Sequence, residues 1–165
     1  MNNLQEAVAS VTQQLFELLK KHQLTISTAE SCSGGTLTNL LTNISGSSDV
    51  INGGINTYST ASKIKLLNVD EELIRIHTVY SKEVAEAMAT NARILFDTTL
   101  GISTTGHIEH EDKENRQGAF IAISNGTIIY SKWVTLPLTR IDNKLHLAKV
   151  IFEECINFID KNYNN

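Results

Sequence analysis

Ile26-Ser27-Thr28-Ala29-Glu30-Ser31-Cys32-Ser33-Gly34-Gly35, preceded by Leu24-Thr25 and followed by Thr36-Leu37-Thr38-Asn39-Leu40-Leu41, joins two patterns of different period across a turn rich in serine and glycine. Leu24 to Thr28 has strand character, and apolar residues return at helical spacing from Thr36, so Glu30 to Gly35 connects a strand to a helix. Such a connection presents side chains at a strand end, beside the free N–H groups and positive dipole end of the next helix. A hydroxyl placed there suits a nucleophile, and nearby N–H groups suit the oxyanion it creates.

Working outward, Leu4, Val8, Val11, Leu15, Leu18 and Leu19 recur at three- and four-residue steps and predict an N-terminal helix of about five turns with one apolar stripe. Asn43 to Ser48 reads as a loop, and Val50 to Tyr58 as a strand in which Gly53-Gly54 signals a bulge or the close approach of another backbone. Ala61 to Leu67 predicts a short helix, and Asp70 begins another. Ser81 opens a long helix with Val84, Met88, Ala92 and Leu95 on one face. Thr98 to Thr104, Gly118 to Ser124 and Thr127 to Thr135 predict strands, the last two joined by a two-residue Asn125-Gly126 turn. Leu145, Ala148, Ile151, Phe152, Cys155 and Phe158 mark a closing amphipathic helix. Strands alternating with helices, plus one hairpin, predict an α/β fold: a three-layer α/β/α sandwich with a mixed central sheet, spanning residues 1–165 as a single domain.

The composition, 41% hydrophobic and 19% charged over 165 residues, fits one buried core, and a lone proline leaves little material for a linker. A net charge of -4 argues against a general nucleic-acid binder, which needs a clustered basic footprint. No apolar run approaches the ~18 residues of a membrane span, and residues 1–21 lack a signal peptide's basic start and apolar middle, so the cytoplasm is the expected compartment. Cys32 and Cys155 lie too far apart, with one in the reactive turn, to suggest a disulfide framework.

A serine needs a base to remove its proton. His22, His77, His107, His110 and His146 show no triad-like setting, whereas Lys63 follows the polar strand end Tyr58-Ser59-Thr60-Ala61-Ser62. A lysine serves as base when burial lowers its pKa. By residue type and spacing alone, Tyr58 and Lys63 at a helix start read first as a packed ring and a solvated charge, and only second as catalytic groups.

The blocks Thr28-Ala29-Glu30-Ser31-Cys32-Ser33-Gly34-Gly35, Gly46-Ser47-Ser48, Gly53-Gly54 with Tyr58-Ser59 and Lys63, Leu66-Leu67-Asn68-Val69, His77-Thr78-Val79-Tyr80-Ser81 and Thr105-Gly106 occur in this order through most of the chain. In this the sequence resembles the C-terminal domain of the competence/damage-inducible protein CinA, the nicotinamide-nucleotide amidase family, in a stand-alone form without the N-terminal domain of longer members. The resemblance implies hydrolysis of the carboxamide of nicotinamide mononucleotide to nicotinate mononucleotide and ammonia. Ser31 is then the acylated nucleophile, Lys63 the general base and Tyr58 its hydrogen-bonding partner. N–H groups near Ser33, Gly34 and Gly35 are the expected oxyanion donors. Gly46 to Ser48, Thr105, Gly106 and Arg140 are the expected substrate and phosphate contacts. No metal or cofactor is needed; the expected partners are a small-molecule nucleotide and, by family habit, further copies of the chain.

The family follows Thr-Gly with an Ile-Ala-Gly-Pro type of loop. This chain has His107-Ile108-Glu109-His110-Glu111-Asp112-Lys113-Glu114-Asn115-Arg116-Gln117 instead. Bulky and acidic residues in place of glycine and proline alter the pocket wall, and carboxylates there repel a phosphate. His107, Glu109, His110, Glu111 and Asp112 include metal-ligand types, but with no second cluster they read as a solvated acidic loop. Two further readings stay open: a paralogue acting as a nucleotide-binding or interaction module, and hydrolysis of a different, less anionic amide. Arg140 and Lys144, one helical turn apart, fit the charged face of the last helix, and Arg140 reads equally well as a phosphate ligand.

Overall fold

The computed structural model describes residues 3–109 and 116–164. Its elements are α1 (Asn3–Lys21), β1 (Ile26–Glu30), α2 (Thr36–Thr42), β2 (Ile51–Asn56), α3 (Thr60–Leu67), α4 (Glu71–His77), α5 (Lys82–Phe96), β3 (Leu100–His107), β4 (Gly118–Ser124), β5 (Ile129–Thr135) and α6 (Arg140–Tyr163). The five strands form one mixed sheet in the order β2-β1-β3-β4-β5: β2, β1 and β3 run parallel, and β4 and β5 antiparallel. The predicted α/β sandwich with a mixed sheet is the observed architecture.

Strand alternation builds its two cores. Ile26 of β1, Leu100 and Ile102 of β3, and Ala119, Ile121 and Ile123 of β4 face α1, α2 and α6. They meet Leu15 and Leu19 from α1, Leu37 and Leu41 from α2, and Ile151, Phe152 and Cys155 from α6. Most of the intervening residues are small: Ala29, Gly101, Ser103 and Ala122 face α5, which answers with Ala85, Ala89 and Ala92, and Phe120 closes the side of this layer. Small residues on both sides let α5 lie close to the sheet. A Cβ on Gly101 would stand 2.0 Å from the Ala89 carbonyl oxygen, and the Ser103 hydroxyl donates to Ala85 O at 2.5 Å.

Both meanings of Gly53-Gly54 are realised. The β1–β2 register shifts between Ile26 and Ser27, which pair with Ile51 and Gly53. A Cβ on Gly54 would lie 2.3 Å from the hydroxyls of Thr28 and Thr38, which bond each other at 2.7 Å. Ser59, Asp70 and Ser81 cap α3, α4 and α5 through their side chains.

Three sequence expectations shift. Leu95 is half exposed rather than sharing the buried face of Val84, Met88 and Ala92. The turn between β4 and β5 centres on Gly126-Thr127, because Asn125 Oδ1 accepts from the N–H groups of Thr127 and Ile128. The last helix starts at Arg140, five residues before Leu145, and buries Leu147 where Leu145 is only partly covered. Among the described residues no helix is long and apolar enough to cross a membrane.

Candidate active site

Strand β1 delivers the reactive turn at its carboxyl end. Glu30 is its last residue, and its carboxylate is 1% exposed. Alternation aims it toward α2, where Oε2 accepts from the Ser33 hydroxyl (2.7 Å) and the N–H groups of Gly35 and Leu37 (3.0 Å each), and Oε1 from Thr38 N–H (2.9 Å) and its hydroxyl (2.8 Å). One buried carboxylate thus ties the first turn of α2 back onto the strand and fixes the path of residues 31–35. Gly34 and Gly35 complete the turn at φ 62° and 96°, a region that costs glycine little.

Ser31 and Lys63 are brought together. Lys63, on the buried side of α3, is 1% exposed, with Nζ 2.9 Å from Ser31 Oγ and 2.7 Å from Thr57 O. Burial lowers its pKa from 10.5 to about 8, so the neutral amine is accessible near physiological pH. In that state Nζ accepts the Ser31 proton while one of its own N–H groups stays on Thr57 O. The carbonyl aims the lone pair.

Over Ser31, with Lys63 buried behind it, lies a cavity of about 200 Å³ lined by Ser31, Cys32, Tyr58, Tyr80, Gly106, His107, Ile108, Glu109 and Arg140. Tyr58 lies apart from Lys63. Its ring is 66% exposed, and its hydroxyl accepts from Arg140 Nη2 at 3.3 Å, so Thr57 O takes the place beside Lys63 expected for Tyr58. Arg140 also reaches Glu109 Oε2 through Nη1 at 3.5 Å. The rings of Tyr80 and His107 lie against each other, with centroids 3.9 Å apart.

Other expected contacts are engaged inside the protein. The Ser33 hydroxyl lies between Glu30 and Thr104 Oγ1 (2.7 Å), Gly34 N–H donates to Ser31 O, and Gly35 N–H donates to Glu30. Among the described residues the Ser33 N–H makes no hydrogen bond and the Cys32 N–H meets only its own thiol, so neither is held by another residue and both suit an oxyanion. Thr105 faces α5, its hydroxyl donating to Val79 O at 2.9 Å; alternation gives the Ser33 side of β3 to Thr104 instead. Gly46 and Ser48 precede β2, at the edge of the sheet opposite Ser31, because the connection from α2 to a parallel strand enters at that strand's amino end.

Cys32 is buried, and desolvation pushes its thiol up to about 12, so it stays a neutral thiol beside Ser31. Of the metal-ligand types in the acidic loop, His107 and Glu109 line the cavity, whereas His110, Glu111 and Asp112 lie outside the described residues. No metal-ligand cluster occurs among the described residues. Two groups take roles that the sequence reading did not give them. Lys144 of α6 places Nζ where a Cβ on Gly34 would be 3.1 Å away, adding a cation beside the reactive turn. Asn143, fully buried, donates through Nδ2 to Ile108 O (2.8 Å) and Leu136 O (2.9 Å) and accepts from Leu138 N–H (2.9 Å), pinning the base of the acidic loop to α6. A buried asparagine on an otherwise apolar helix face is the signal that would have marked it.

Comparison with known proteins gives one answer. Residues 8–156 match the family model of the CinA C-terminal domain. A CinA-like protein of Flavobacterium psychrophilum is 37% identical over 91% of this chain, which spans 37% of that protein. A putative competence-damage inducible protein of Clostridium botulinum (strain Okra / Type B1) is 46% identical over 63% of this chain and 24% of its own length. The chain therefore spans well under half of these relatives. Among solved structures, a CinA superfamily protein from Klebsiella pneumoniae 700603 superposes with a TM-score of 0.89 at 18% identity, covering 93% of this chain and 98% of the other. One from Escherichia coli does so with a TM-score of 0.86 at 21% identity, covering 92% and 90%. At those identities the structures speak for the fold, and the family model and the Flavobacterium relative speak for descent: the chain belongs to the CinA C-terminal domain family.

Proposed function

We propose that the chain is a serine-dependent amidohydrolase that converts nicotinamide mononucleotide to nicotinate mononucleotide and ammonia. The observation that carries the reading is Lys63 Nζ, 1% exposed and shifted toward neutrality, 2.9 Å from Ser31 Oγ at the floor of an open cavity. A binding module gains nothing from a desolvated amine against a serine, whereas acyl transfer needs a base within hydrogen-bond reach of the hydroxyl, and a neutral amine is one.

In the proposed reaction neutral Lys63 takes the Ser31 proton as Oγ attacks the carboxamide carbon. The tetrahedral oxyanion forms toward the N–H groups of Cys32 and Ser33. Lys63 then gives its proton to the departing nitrogen, the carbon–nitrogen bond breaks, and ammonia leaves an ester on Ser31. Water attacks that ester with Lys63 again as base, and the proton returns to Ser31. Arg140 and Lys144 supply positive charge for the phosphate, and Tyr58 forms part of the cavity wall.

The test is ammonia release from nicotinamide mononucleotide by the wild type, Ser31→Ala and Lys63→Met. Release by the wild type alone supports the proposal. Equal rates in all three refute the assignment of the centre.

A further inference from the structure

We infer that Glu109 is a specificity-determining residue that competes with substrate phosphate for the Arg140 guanidinium and so tilts the pocket toward amides that carry less negative charge. The inference rests on the amidase reading for its kinetic form, but its binding form stands without turnover.

Arg140 sits at the first position of α6 and reaches into the cavity above Ser31. Its two terminal nitrogens already have oxygen partners: Nη2 the Tyr58 hydroxyl at 3.3 Å, and Nη1 the Glu109 carboxylate at 3.5 Å. A phosphate approaching this guanidinium meets a carboxylate on the same fork, and the bidentate geometry that gives arginine its strength toward phosphate is half taken. Glu109 is not there by the accident of a free loop. The carbonyl of its neighbour Ile108 accepts from Asn143 Nδ2 at 2.8 Å and from Gln117 Nε2 at 3.0 Å, and Asn143 lies one turn along the same helix as Arg140. The start of the acidic loop is thereby anchored to the helix that carries the arginine. Glu109 also lines the cavity itself, so its charge faces whatever binds there.

Both side chains are little more than two-fifths exposed, so the competition is modest. Removing the carboxylate should strengthen phosphate binding about three- to fivefold. A fold defect in the variant would weaken every ligand, so the readout is a ratio.

The experiment measures affinity for inorganic phosphate in the wild type, Glu109→Gln, Arg140→Ala and the double variant. With turnover present, it adds KM for nicotinamide mononucleotide and for its dephosphorylated nucleoside. The expected result is tighter phosphate binding in Glu109→Gln, no such gain when Arg140 is already alanine, and a fall of about three- to fivefold in the nucleotide-to-nucleoside KM ratio. Unchanged phosphate affinity in Glu109→Gln, or an equal gain in the Arg140→Ala background, overturns the inference. If no amide is hydrolysed yet Arg140-dependent phosphate binding tightens, the amidase reading falls and the role of Glu109 stands. If the nucleotide is hydrolysed and the ratio does not move, the reverse holds.

Discussion

Replacing Lys63 by methionine separates the two consequences of burying an amine beside Ser31. With its pKa lowered from 10.5 to about 8, only about one-tenth of Lys63 is neutral at pH 7 and about nine-tenths at pH 9. If the neutral amine is the base, kcat/KM for amide hydrolysis rises about tenfold between those values, with unit slope below the midpoint. The same shift has a stability consequence. Between pH 8 and pH 10.5 the unfolded chain holds the Lys63 proton and the folded chain does not, so the Lys63 contribution to stability grows as pH rises and is fully present only above the unfolded value. For a side chain only 1% exposed, a shift of this size corresponds to about 3 kcal/mol. Lys63→Met should therefore be inactive yet more stable than the wild type at pH 7, with the gap closing toward pH 10.5. Ammonia release and urea unfolding, each across pH 6 to 10, provide the assay. A flat rate profile, or a stability gap independent of pH, would mean that Lys63 is not a buried amine titrating near pH 8.

Glu30→Gln keeps the shape but turns one end of the acceptor into a donor facing the N–H groups or hydroxyls it now serves; about 3 kcal/mol should be lost, read as a Tm fall of roughly 6–12 °C. Gly101→Ala drives a methyl into the Ala89 carbonyl and should lower Tm at least as far, whereas Gly46→Ala, beside Phe16 and Asp49 at contact distance, fails mainly through its positive φ and should cost about 1 kcal/mol. Cys32 and Cys155 should resist iodoacetamide at pH 8 in the folded chain and react once it is unfolded in urea, since burial raises both thiols; rapid native labelling of Cys32 would contradict its placement.

The elements were legible because their signals are local. The stripe of α1, the caps Ser59, Asp70 and Ser81, and the glycine pair in β2 each state their role within a few residues. The Ser31–Lys63 pairing was legible only through the resemblance, since 32 residues of spacing carry no geometry. What sequence misplaced depended on sheet direction and strand facing. Gly46 and Ser48 resemble a phosphate loop by composition, but a connection entering a parallel strand lies at the edge opposite the site. Thr105 and Thr104 are chemically alike, and only the pleat decides that Thr104 meets Ser33. Glu30 read as part of the turn, whereas its work is long-range: it collects donors up to eight residues away.

If Ser31 is the nucleophile, an acyl group passes through its Oγ during turnover. Mixing the chain with nicotinamide mononucleotide, quenching in acid within the first turnover and mapping the peptides by mass spectrometry tests this most directly. The expected result is a transient mass gain equal to the acyl group on the peptide holding Ser31, absent in Ser31→Ala and retained in Cys32→Ala. An adduct that survives in Ser31→Ala, or turnover without any adduct on that peptide, contradicts it.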